Sequence, residues 1–402
     1  MNILFVSDNK AEATSGGVER AVGNLARYFQ QSGDVCFQAY VNAQNHDSCD
    51  PVFRKQFVIQ KDFSLLKAFI TEEAIDVVIS NLMNKNNIKA LMPALNGFKI
   101  DTINTKYCFY YHSFPGNELR CLPPSFLVKR FRYLKGHRMN SLVSLFKSVA
   151  ITAFPNMIKS YLRKKYSRIS DNESNLIVLS NSYKQDFATL VHVQPIPPQW
   201  CSISNALSFP SDTAPEIRKK EKNVLIVARL EEDAKRLTRA LDIWKQLTST
   251  HDISGWKLVI VGDGIDRPVY ERIAAKRKIP GVVFEGRRNS LPYYLKSSVF
   301  MMTSAFEGFP MTILETMQCG CVPIAFDTFS AIRDLIDDGV DGYVIENDCV
   351  EEYVRKLYDL MQNENLRMQM AENGMRSVQR FSVDNIVKQW YDLFDKMKTD
   401  NR

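Results

Sequence analysis

The sequence predicts an α/β protein built from two doubly wound parallel sheets, one in each half of its 402 residues. Apolar strand-like runs alternate with amphipathic helical runs, which is the pattern of parallel sheets covered by helices. The alternation starts afresh after a Pro- and Ser-rich stretch near the middle of the chain. At roughly 100–200 residues per domain, the length also indicates two domains.

The first half opens with the strand-like run NILFVS, a glycine-containing loop and a helical pattern over 18–31. The further strand-like runs of this half are 75–82, 106–113, 149–154 and 175–182. The stretch PIPPQWCSISNALSFP is the predicted linker, because clustered Pro and Ser interrupt regular structure. We therefore expect an N-terminal domain over residues 1–207.

The second half repeats the alternation. Its strand-like runs are 223–230, 257–264, 282–286, 298–304 and 321–327. A final amphipathic helix is predicted over 382–397, where Ile386, Trp390 and Phe394 recur at every fourth position. We expect Trp390 to be the packing anchor of that helix, and a second domain over 208–380.

The composition excludes several classes of protein. Apolar residues make up 45% and charged residues 24% of the chain, which is ordinary for a globular protein and excludes disorder. The eight cysteines form no CxxC pair and have no His at zinc-finger spacing, so free thiols in a reducing compartment are expected. The chain start resembles a strand rather than a signal peptide, and no apolar run reaches the roughly 18 residues of a membrane span. A soluble, cytoplasmic protein is predicted.

Positive charge is concentrated in one segment. Residues 120–170 contain twelve Lys or Arg and no Asp or Glu, and without them the 52 basic residues fall to 40 against 45 acidic ones. Because apolar and aromatic residues are interleaved with the cations, we interpret the segment as a surface for an anionic partner, with a solvated helical face as the alternative. The two candidate partners are nucleic acid, for which no binding motif accompanies the charge, and an anionic membrane surface. The cations proposed to contact it include Lys129, Arg130, Arg132, Arg163, Lys164 and Lys165.

The most specific motif is EGFPMTILETMQCGCVPIAFD, which runs from residue 307 to residue 327. It places Glu307 in a loop after a strand and Glu315 about one turn into the following helix. The two carboxylates can then border one pocket, and a carboxylate is a suitable bidentate acceptor for the hydroxyls of a sugar. The alternative is that both acids only stabilise the positive end of the helix dipole.

Three other groups of residues follow predicted strands. Arg229 and Lys235 come after the first strand of the second half, where cations either bind a ligand or lie on a solvated face. The Gly16-Gly17 turn follows the first strand of the chain and is by itself a weak signal. His112 ends a strand in YYHSFPG, and a lone His is usually structural.

Taken in this order, these segments resemble the retaining GT-B glycosyltransferases of the large family four, the glycosyl transferases group 1, of the type that builds bacterial lipopolysaccharide and polysaccharide. The Glu-x7-Glu motif carries the resemblance, together with VARLEEDAKRLTRALDIW, LVIVGDG, SGGVERAVGNLA and RFSVDNIVKQWYDLF. The resemblance implies two Rossmann-like domains that face a central cleft. The first would bind the acceptor, the second would bind the nucleotide sugar, and the helix over 381–402 would pack back on the first.

The resemblance also implies roles for individual residues. Arg229 and Lys235 would neutralise the donor diphosphate, Glu307 and His112 would contact the transferred sugar, and Glu315 would bind the ribose hydroxyls. Backbone groups and glycines without a Cβ would position the donor. These further donor-binding residues are Gly16, Gly17, Gly262, Arg288, Gly308, Phe309, Pro310 and Met311.

The implied activity is the retaining transfer of a hexose or related sugar from a nucleoside-diphosphate sugar, with UDP favoured over GDP. The acceptor would be a membrane-associated glycan such as a lipopolysaccharide core, O-antigen or capsule intermediate, at the inner face of the cytoplasmic membrane. No cofactor or metal is expected, because Arg229 and Lys235 would replace a divalent ion and the chain has no Asp-x-Asp pair. A nucleotide-sugar 2-epimerase and a non-catalytic scaffold subunit of the same fold remain the alternatives.

Overall fold

A computed structural model gives the architecture of the chain. The structure describes residues 1–11, 17–42, 50–59, 64–82, 105–116, 153–170, 175–210 and 215–399, and the single positions 87, 91, 149 and 151. The chain divides into two compact units. Unit 1 comprises Met1–Pro115, Tyr161–Ala206 and Phe381–Arg402, and unit 2 comprises Gly116–Ser160 and Leu207–Arg380. The boundary after Ala206 falls inside the predicted linker, whereas residues 116–160, predicted in the first domain, group with unit 2.

Each unit contains a parallel sheet. The strands of unit 1 are β1 (Asn2–Ser7), β2 (Val35–Tyr40), β3 (Lys55–Val58), β4 (Val77–Ser80), β5 (Lys106–Tyr111), β6 (Asn175–Val178) and β7 (Cys201–Ser202). The strands of unit 2 are β8 (Glu221–Val227), β9 (Lys257–Val261), β10 (Val282–Gly286), β11 (Ser297–Met302), β12 (Val322–Asp327) and β13 (Tyr343–Glu346). Every strand pairing in both sheets is parallel.

Helices connect the strands in both units. They are α1 (Gly17–Gln31), α2 (Ser64–Glu72), α3 (Pro155–Ser170), α4 (Asn181–Val191), α5 (Glu232–Lys235), α6 (Leu237–Thr250), α7 (Arg267–Lys276), α8 (Leu291–Lys296), α9 (Met311–Gln318), α10 (Ile332–Leu335), α11 (Val350–Gln362), α12 (Glu364–Ser377) and α13 (Val383–Thr399). Short 3-10 turns lie at Ile217–Lys219 and Val378–Phe381. None of the helices in the described ranges is both long enough and apolar enough to cross a bilayer.

The two sheets share a strand order that reverses direction. The order is β3-β2-β1-β4-β5-β6-β7 in unit 1 and β10-β9-β8-β11-β12-β13 in unit 2. Both are therefore doubly wound, as predicted. In such sheets ligands bind beyond the carboxyl ends of the strands at the point where the order reverses. That point lies between β1 and β4 in unit 1, and between β8 and β11 in unit 2.

The last helix, α13, packs on unit 1. Trp390 is fully buried, and its ring meets Phe29 of α1 edge-on at 6.1 Å and Tyr110 of β5 at 5.0 Å between centroids. The Tyr391 hydroxyl donates a hydrogen bond to Asp34 Oδ2 at 2.5 Å, and Asp34 Oδ1 accepts from the Met1 amino group at 2.6 Å. The predicted amphipathic helix and its Trp390 anchor are confirmed.

Two local predictions are wrong. Residues 149–154 were predicted as a strand, but the described positions 149, 151 and 153 are helical and precede α3. The Val149 side chain is 56% exposed, whereas a strand of a parallel sheet buries its apolar residues on both faces. The predicted linker is also not wholly irregular, because Cys201 and Ser202 pair with β6 as the seventh strand of unit 1.

Candidate functional site

An ion pair joins the two loops at the reversal point of unit 2. The Lys235 ammonium donates to both carboxylate oxygens of Glu307, at 2.6 Å to Oε1 and 2.8 Å to Oε2. The Ser304 hydroxyl donates to the same Glu307 Oε1 at 2.6 Å. Lys235 comes from the β8 side and Glu307 from the β11 side, so adjacent strands bring together residues that are 72 positions apart.

Main-chain hydrogen bonds fix the same two loops against each other. The Ala305 N–H donates to the Ala234 carbonyl at 2.7 Å. The Thr303 hydroxyl donates to the carbonyls of Lys235 and Arg236 at 3.1 and 3.2 Å. Because the backbones are linked on both sides of Lys235, its ammonium is held close to Glu307 by the fold as well as by charge.

Arg229 lies two residues beyond the end of β8 and points to solvent. Its side chain is 68% exposed, and its Nε lies 3.2 Å from Glu231 Oε1. An exposed ion pair of this kind contributes little to stability, because water and salt screen it. The guanidinium is therefore accessible to an anionic ligand at the same end of the sheet as Lys235.

Glycines at the end of β9 set the path of the Arg229 segment. A Cβ on Gly262, whose φ is +135°, would lie 1.9 Å from the Ala228 carbonyl oxygen, and one on Gly264 would lie 2.5 Å from that of Leu230. The Gly262 N–H also donates to the Gly286 carbonyl at 2.8 Å. Gly262, which the resemblance assigns to donor binding, thus has a demonstrable packing function: it admits the backbone on either side of Arg229.

Glu315 is the fifth residue of α9 and is buried, with 3% of its surface exposed. Its Oε2 accepts a hydrogen bond from the Tyr294 hydroxyl at 3.0 Å. Burial, and then the negative charge of Glu315, raise the pKa of Tyr294 well above its ordinary value, so Tyr294 stays a donor. The structure therefore orients this carboxylate through a neutral hydroxyl.

The segment between Glu307 and α9 offers mainly its backbone. Gly308 is followed by Phe309 and Pro310, which are buried, and Met311 is the first residue of α9. The first N–H groups of a helix have no partner inside the helix, and the dipole makes this end favourable for negative charge. A diphosphate or a sugar hydroxyl can accept hydrogen bonds here.

The turn after β10 lies at the edge of the sheet. Gly286 has a φ of +72°, and a Cβ there would approach the Arg267 guanidinium at 2.9 Å. Arg267 is itself held by Asp263 at 3.0 Å and Glu271 at 2.7 Å. The neighbouring Arg288 is exposed, so its side chain is available at this turn.

Glu232 is a buried carboxylate in α5, the short helix that also contains Lys235. The sequence analysis did not single it out. It is 1% exposed and accepts hydrogen bonds from the Thr238 N–H and the Tyr270 hydroxyl, each at 3.1 Å, and from the Thr238 hydroxyl. Its own N–H donates to Asp266 Oδ2 at 3.0 Å. Burial raises the pKa of Glu232 to about 7, and the charge of Asp266 adds to the increase. Nothing in the letters EED distinguishes this residue from its acidic neighbours Glu231 and Asp233.

In unit 1, His112 follows β5 and is 6% exposed. Its Nε2 lies 2.8 Å from the Asn81 amide nitrogen, and its ring is 4.0 Å from that of Tyr110. Burial lowers the pKa of His112 to about 3, so the imidazole is neutral near pH 7. It can therefore exchange hydrogen bonds with a hydroxyl but supplies no positive charge.

A cavity of about 140 Å³ lies at the reversal point of unit 1. The polar side chains that line it are Ser7, Asp8, Asn9, Glu19, Gln38 and Asn81. Gly17 begins α1 beside them, is exposed, and has no described atom within 4 Å of where a Cβ would be. The companion residue Gly16 lies outside the described residues.

The basic surface is described only in part. Arg163 and Lys164 are exposed on α3, and Lys165 belongs to the same helix. Lys129, Arg130 and Arg132 lie outside the described residues. Four large apolar side chains between positions 149 and 161 are exposed by half or more of their surface: Val149, Phe154, Met157 and Tyr161. Within the described ranges, no group of three or more His, Cys, Asp or Glu residues is arranged to hold a metal ion.

The sequence of unit 2 matches a known family. The model of the family "Glycosyl transferases group 1" matches residues 210–377, which include every strand of the second sheet. These residues belong to the group 1 glycosyltransferase family. The family inferred from the Glu-x7-Glu segment is confirmed, and Arg229, Lys235, Glu307 and Glu315 all lie in the matched part of this glycosyltransferase domain.

Relatives of the glycosyltransferase domain include bacterial glycosyltransferases of amylovoran biosynthesis and of lipopolysaccharide. The amylovoran biosynthesis glycosyltransferase AmsD of Erwinia amylovora is 33% identical over 180 residues, which are 44% of this chain and 49% of that protein. The lipopolysaccharide 1,6-galactosyltransferase of Salmonella typhimurium is 30% identical over 159 residues, 37% of this chain and 42% of that protein. The matched segments thus span about half the length of these relatives.

A solved structure shares the fold over almost the whole chain. Anabaena Alr3699/HepE in complex with UDP superimposes with a TM-score of 0.69 and 15% identity, covering 98% of this chain and all of that one. The predicted GT-B fold, with its two Rossmann-like sheets, is confirmed.

Proposed function

We propose that the protein is a retaining glycosyltransferase that moves a hexose or related sugar from a UDP-sugar to a membrane-associated glycan. The observation that carries the proposal is the Lys235–Glu307 ion pair at the reversal point of a group 1 glycosyltransferase domain. A cation next to an oriented carboxylate suits a ligand with a negative diphosphate on one side and sugar hydroxyls on the other.

In this proposal the donor diphosphate lies against Lys235 and Arg229. Lys235 then bridges the diphosphate and Glu307, while the exposed Arg229 turns from Glu231 towards the phosphates. Glu307 binds a hydroxyl of the sugar, and the backbone of the segment before α9 supports it. Glu315, oriented by Tyr294, binds the two ribose hydroxyls.

The proposed reaction is a front-face displacement. The bond between the anomeric carbon and the diphosphate oxygen breaks, and the acceptor hydroxyl oxygen forms its new bond on the same face of the sugar. The hydroxyl proton passes to the departing diphosphate oxygen, so no separate protein base is required. Lys235 and Arg229 stabilise the negative charge that develops on the leaving group, which is the charge a divalent ion would otherwise offset. In unit 1, the neutral His112 binds a sugar hydroxyl.

UDP is the favoured donor nucleotide. The solved structure with the same fold contains UDP, and the turn over residues 286–288 can read a base through its backbone. A GDP-sugar remains the alternative. The nucleotide class is therefore an outcome of the donor experiment below.

The acceptor is proposed to be a lipid-linked or lipopolysaccharide glycan at the inner face of the cytoplasmic membrane. Two observations support it: α3 exposes Met157 and Tyr161 as well as the cations Arg163 and Lys164, and the relatives include an amylovoran biosynthesis glycosyltransferase and a lipopolysaccharide 1,6-galactosyltransferase. Exposed aromatic and apolar side chains among cations favour the interface of an anionic bilayer.

The test is nucleoside diphosphate release from a panel of UDP- and GDP-sugars, with and without bacterial membrane lipid, in the presence of EDTA. We expect release that depends on lipid, survives chelation and falls by at least about 100-fold in Arg229→Ala, because a donor to developing charge is lost. Arg355→Ala is the matched control, since Arg355 is a similarly exposed arginine paired with acids on α11.

The other outcomes separate the alternatives. A donor that is isomerised without any acceptor would establish an epimerase. Failure of every donor to react, despite nucleotide binding, would indicate a non-catalytic subunit. Equal losses in Arg229→Ala and Arg355→Ala would contradict the proposed phosphate contact.

A further inference from the structure

Arg236 adopts an unusual conformation at the junction of α5 and α6. Its φ and ψ are both 46°, in the left-handed region that disfavours residues with a Cβ. Its guanidinium is only 15% exposed and turns back towards the sheet. A residue held in a strained backbone conformation next to a functional loop points to a role for its side chain.

The guanidinium links three loops at the carboxyl end of the second sheet. Its Nε donates to the Thr303 carbonyl at 3.1 Å, and its Nη2 donates to the Ser304 carbonyl at 3.4 Å and to Asn347 Oδ1 at 3.2 Å. The planar fork of an arginine can satisfy several acceptors in fixed directions, which an ammonium cannot. One side chain from the β8 side thus holds the loop after β11 and the loop after β13.

These contacts bear directly on the Lys235–Glu307 pair. Arg236 immediately follows Lys235, and the Ser304 that it holds donates its hydroxyl to Glu307 at 2.6 Å. The Thr303 hydroxyl donates a hydrogen bond to the Lys235 carbonyl. A shift of Arg236 would therefore move both partners of the ion pair, although Arg236 contacts neither side chain in these bonds.

We infer that Arg236 is a positioning residue for sugar transfer: it fixes the distance between Lys235 and Glu307 by joining their loops through the carbonyls of Thr303 and Ser304. The inference rests on the proposed function. It predicts that the guanidinium matters for turnover, whereas the nucleotide contact through Glu315, on the separate helix α9, does not depend on it.

Glycine is the discriminating substitution. Arg236→Gly suits the left-handed backbone and keeps the turn, so it removes the guanidinium without straining the fold. A merely structural role of the turn predicts that this variant is as active as the original, whereas the positioning role predicts a loss. Arg236→Lys restores the charge but reaches fewer carbonyls, so partial recovery is expected.

Arg239→Ala is the matched control. Arg239 lies one helical turn further along α6 and donates to Asp348 Oδ1 at 2.5 Å, in the same loop that Asn347 belongs to. The hydrogen-bonded ion pair of Arg239 is with Asp348 and not with the loop after β11. This variant therefore removes one cation and one contact to the β13 loop while leaving the Thr303 and Ser304 carbonyls bound.

The experiment measures three properties of each full-length variant: the melting temperature, the affinity for UDP (Kd, by calorimetry), and the steady-state kinetics (kcat and KM) with the UDP-sugar that reacts in the donor panel. For Arg236→Gly we expect kcat to fall by about 30- to 100-fold, because a misplacement near 1 Å has an effect of that order. The Kd for UDP and the melting temperature should stay close to the original values. Arg239→Ala should change none of the three.

Two results would overturn the inference. An Arg236→Gly variant with the original kcat would show that the guanidinium does not position the pair. Parallel losses of UDP affinity, melting temperature and kcat would show a general structural role. If the unaltered protein neither binds UDP nor releases nucleotide from any donor, the proposed function itself fails and the inference falls with it.

Discussion

Among single residues, the buried Glu232 shows how the turn that carries Lys235 depends on a carboxylate. Its oxygens are bonded to Thr238 and Tyr270, which belong to the two helices that follow β8 and β9. Asp266 lies against its backbone N–H, and burial dominates its environment. The donor-side turn is therefore attached to α6 and α7 through one group that changes charge near neutral pH.

The raised pKa of Glu232 predicts a pH-dependent stability. The pKa of this carboxyl is about 7 in the folded state, whereas in the unfolded chain the pKa has its ordinary value of 4.5. Its stabilising contribution is therefore complete below pH 4.5 and is lost as the pH rises through 7. Relative to Glu232→Gln, the free energy of unfolding of the original protein should fall by about 3 kcal/mol between pH 4.5 and pH 8.

Urea unfolding at a series of pH values measures this difference. Asp233→Asn is the control, because Asp233 is an exposed acid in the same turn. Equal pH dependence in the original protein and Glu232→Gln would contradict the prediction.

The sequence predicts the position of the candidate site residues better than it predicts their hydrogen-bond partners. Lys235, Glu307 and Glu315 were predicted to lie at one edge because they follow strands or start a helix in a parallel sheet. Their direct partners were not predicted, since the Ser304 and Tyr294 hydroxyls depend on side-chain directions that no spacing determines.

Among the secondary-structure elements, the end of β9 shows how glycine permits close approach of two strands. The Cα atoms of Gly262 and Gly264 face the backbone of the segment that follows β8. Because the neighbouring atoms are main-chain carbonyls, no side-chain movement can make room for a Cβ. The position of Arg229 therefore depends on the end of β9 as well as on β8, the strand that Arg229 follows.

Gly262→Ala should destabilise unit 2 by at least about 3 kcal/mol, from steric overlap with Ala228 and an unfavourable φ of +135°. Gly23→Ala is the matched substitution in a helix, where a Cβ would meet nothing within 4 Å. It should stabilise the protein by about 0.5–1 kcal/mol. Chemical denaturation compares the two variants, and equal stability would show that the Gly262 backbone can move.

Two of the strands that the sequence analysis did not predict, β2 and β7, were missed for identifiable reasons. β2 contains Gln38, a fully buried amide that donates to Ser7 Oγ at 2.7 Å and accepts from Gln56 at 2.7 Å. A buried polar residue in a satisfied network interrupts the apolar run by which strands are recognised. β7 has two residues, which is too short for a periodic pattern. Conversely, the apolar run at 149–154 resembles a strand, but its described positions 149, 151 and 153 are helical.

For the molecule as a whole, the concentrated positive charge predicts reversible binding to anionic membranes. The exposed Arg163 and Lys164 each gain about 1 kcal/mol near such a surface. Charge reversal at both positions should therefore weaken binding to vesicles that contain phosphatidylglycerol by at least about 30-fold. Met157→Asp should weaken it as well, by removing an apolar contact.

Co-sedimentation with phosphatidylglycerol vesicles and with neutral phosphatidylcholine vesicles measures this binding across salt concentrations. The double charge reversal Lys257→Glu with Lys276→Glu is the control, because both lysines are exposed in unit 2. Equal weakening by the two double variants, or binding that ignores salt and lipid charge, would argue against a specific docking surface.

The division of unit 1 into separate chain segments has a consequence for synthesis on the ribosome. Trp390 of α13 covers Phe29 and Tyr110, so the first sheet lacks a large part of its apolar cover until the last helix has been translated. Unit 2 draws its sheet from the continuous run Leu207–Arg380 and can form while α13 is still in the exit tunnel. The sheet of unit 2 is thus completed before the sheet of unit 1. Until α13 has been translated, the sheet of unit 1 exposes apolar surface that chaperones can bind.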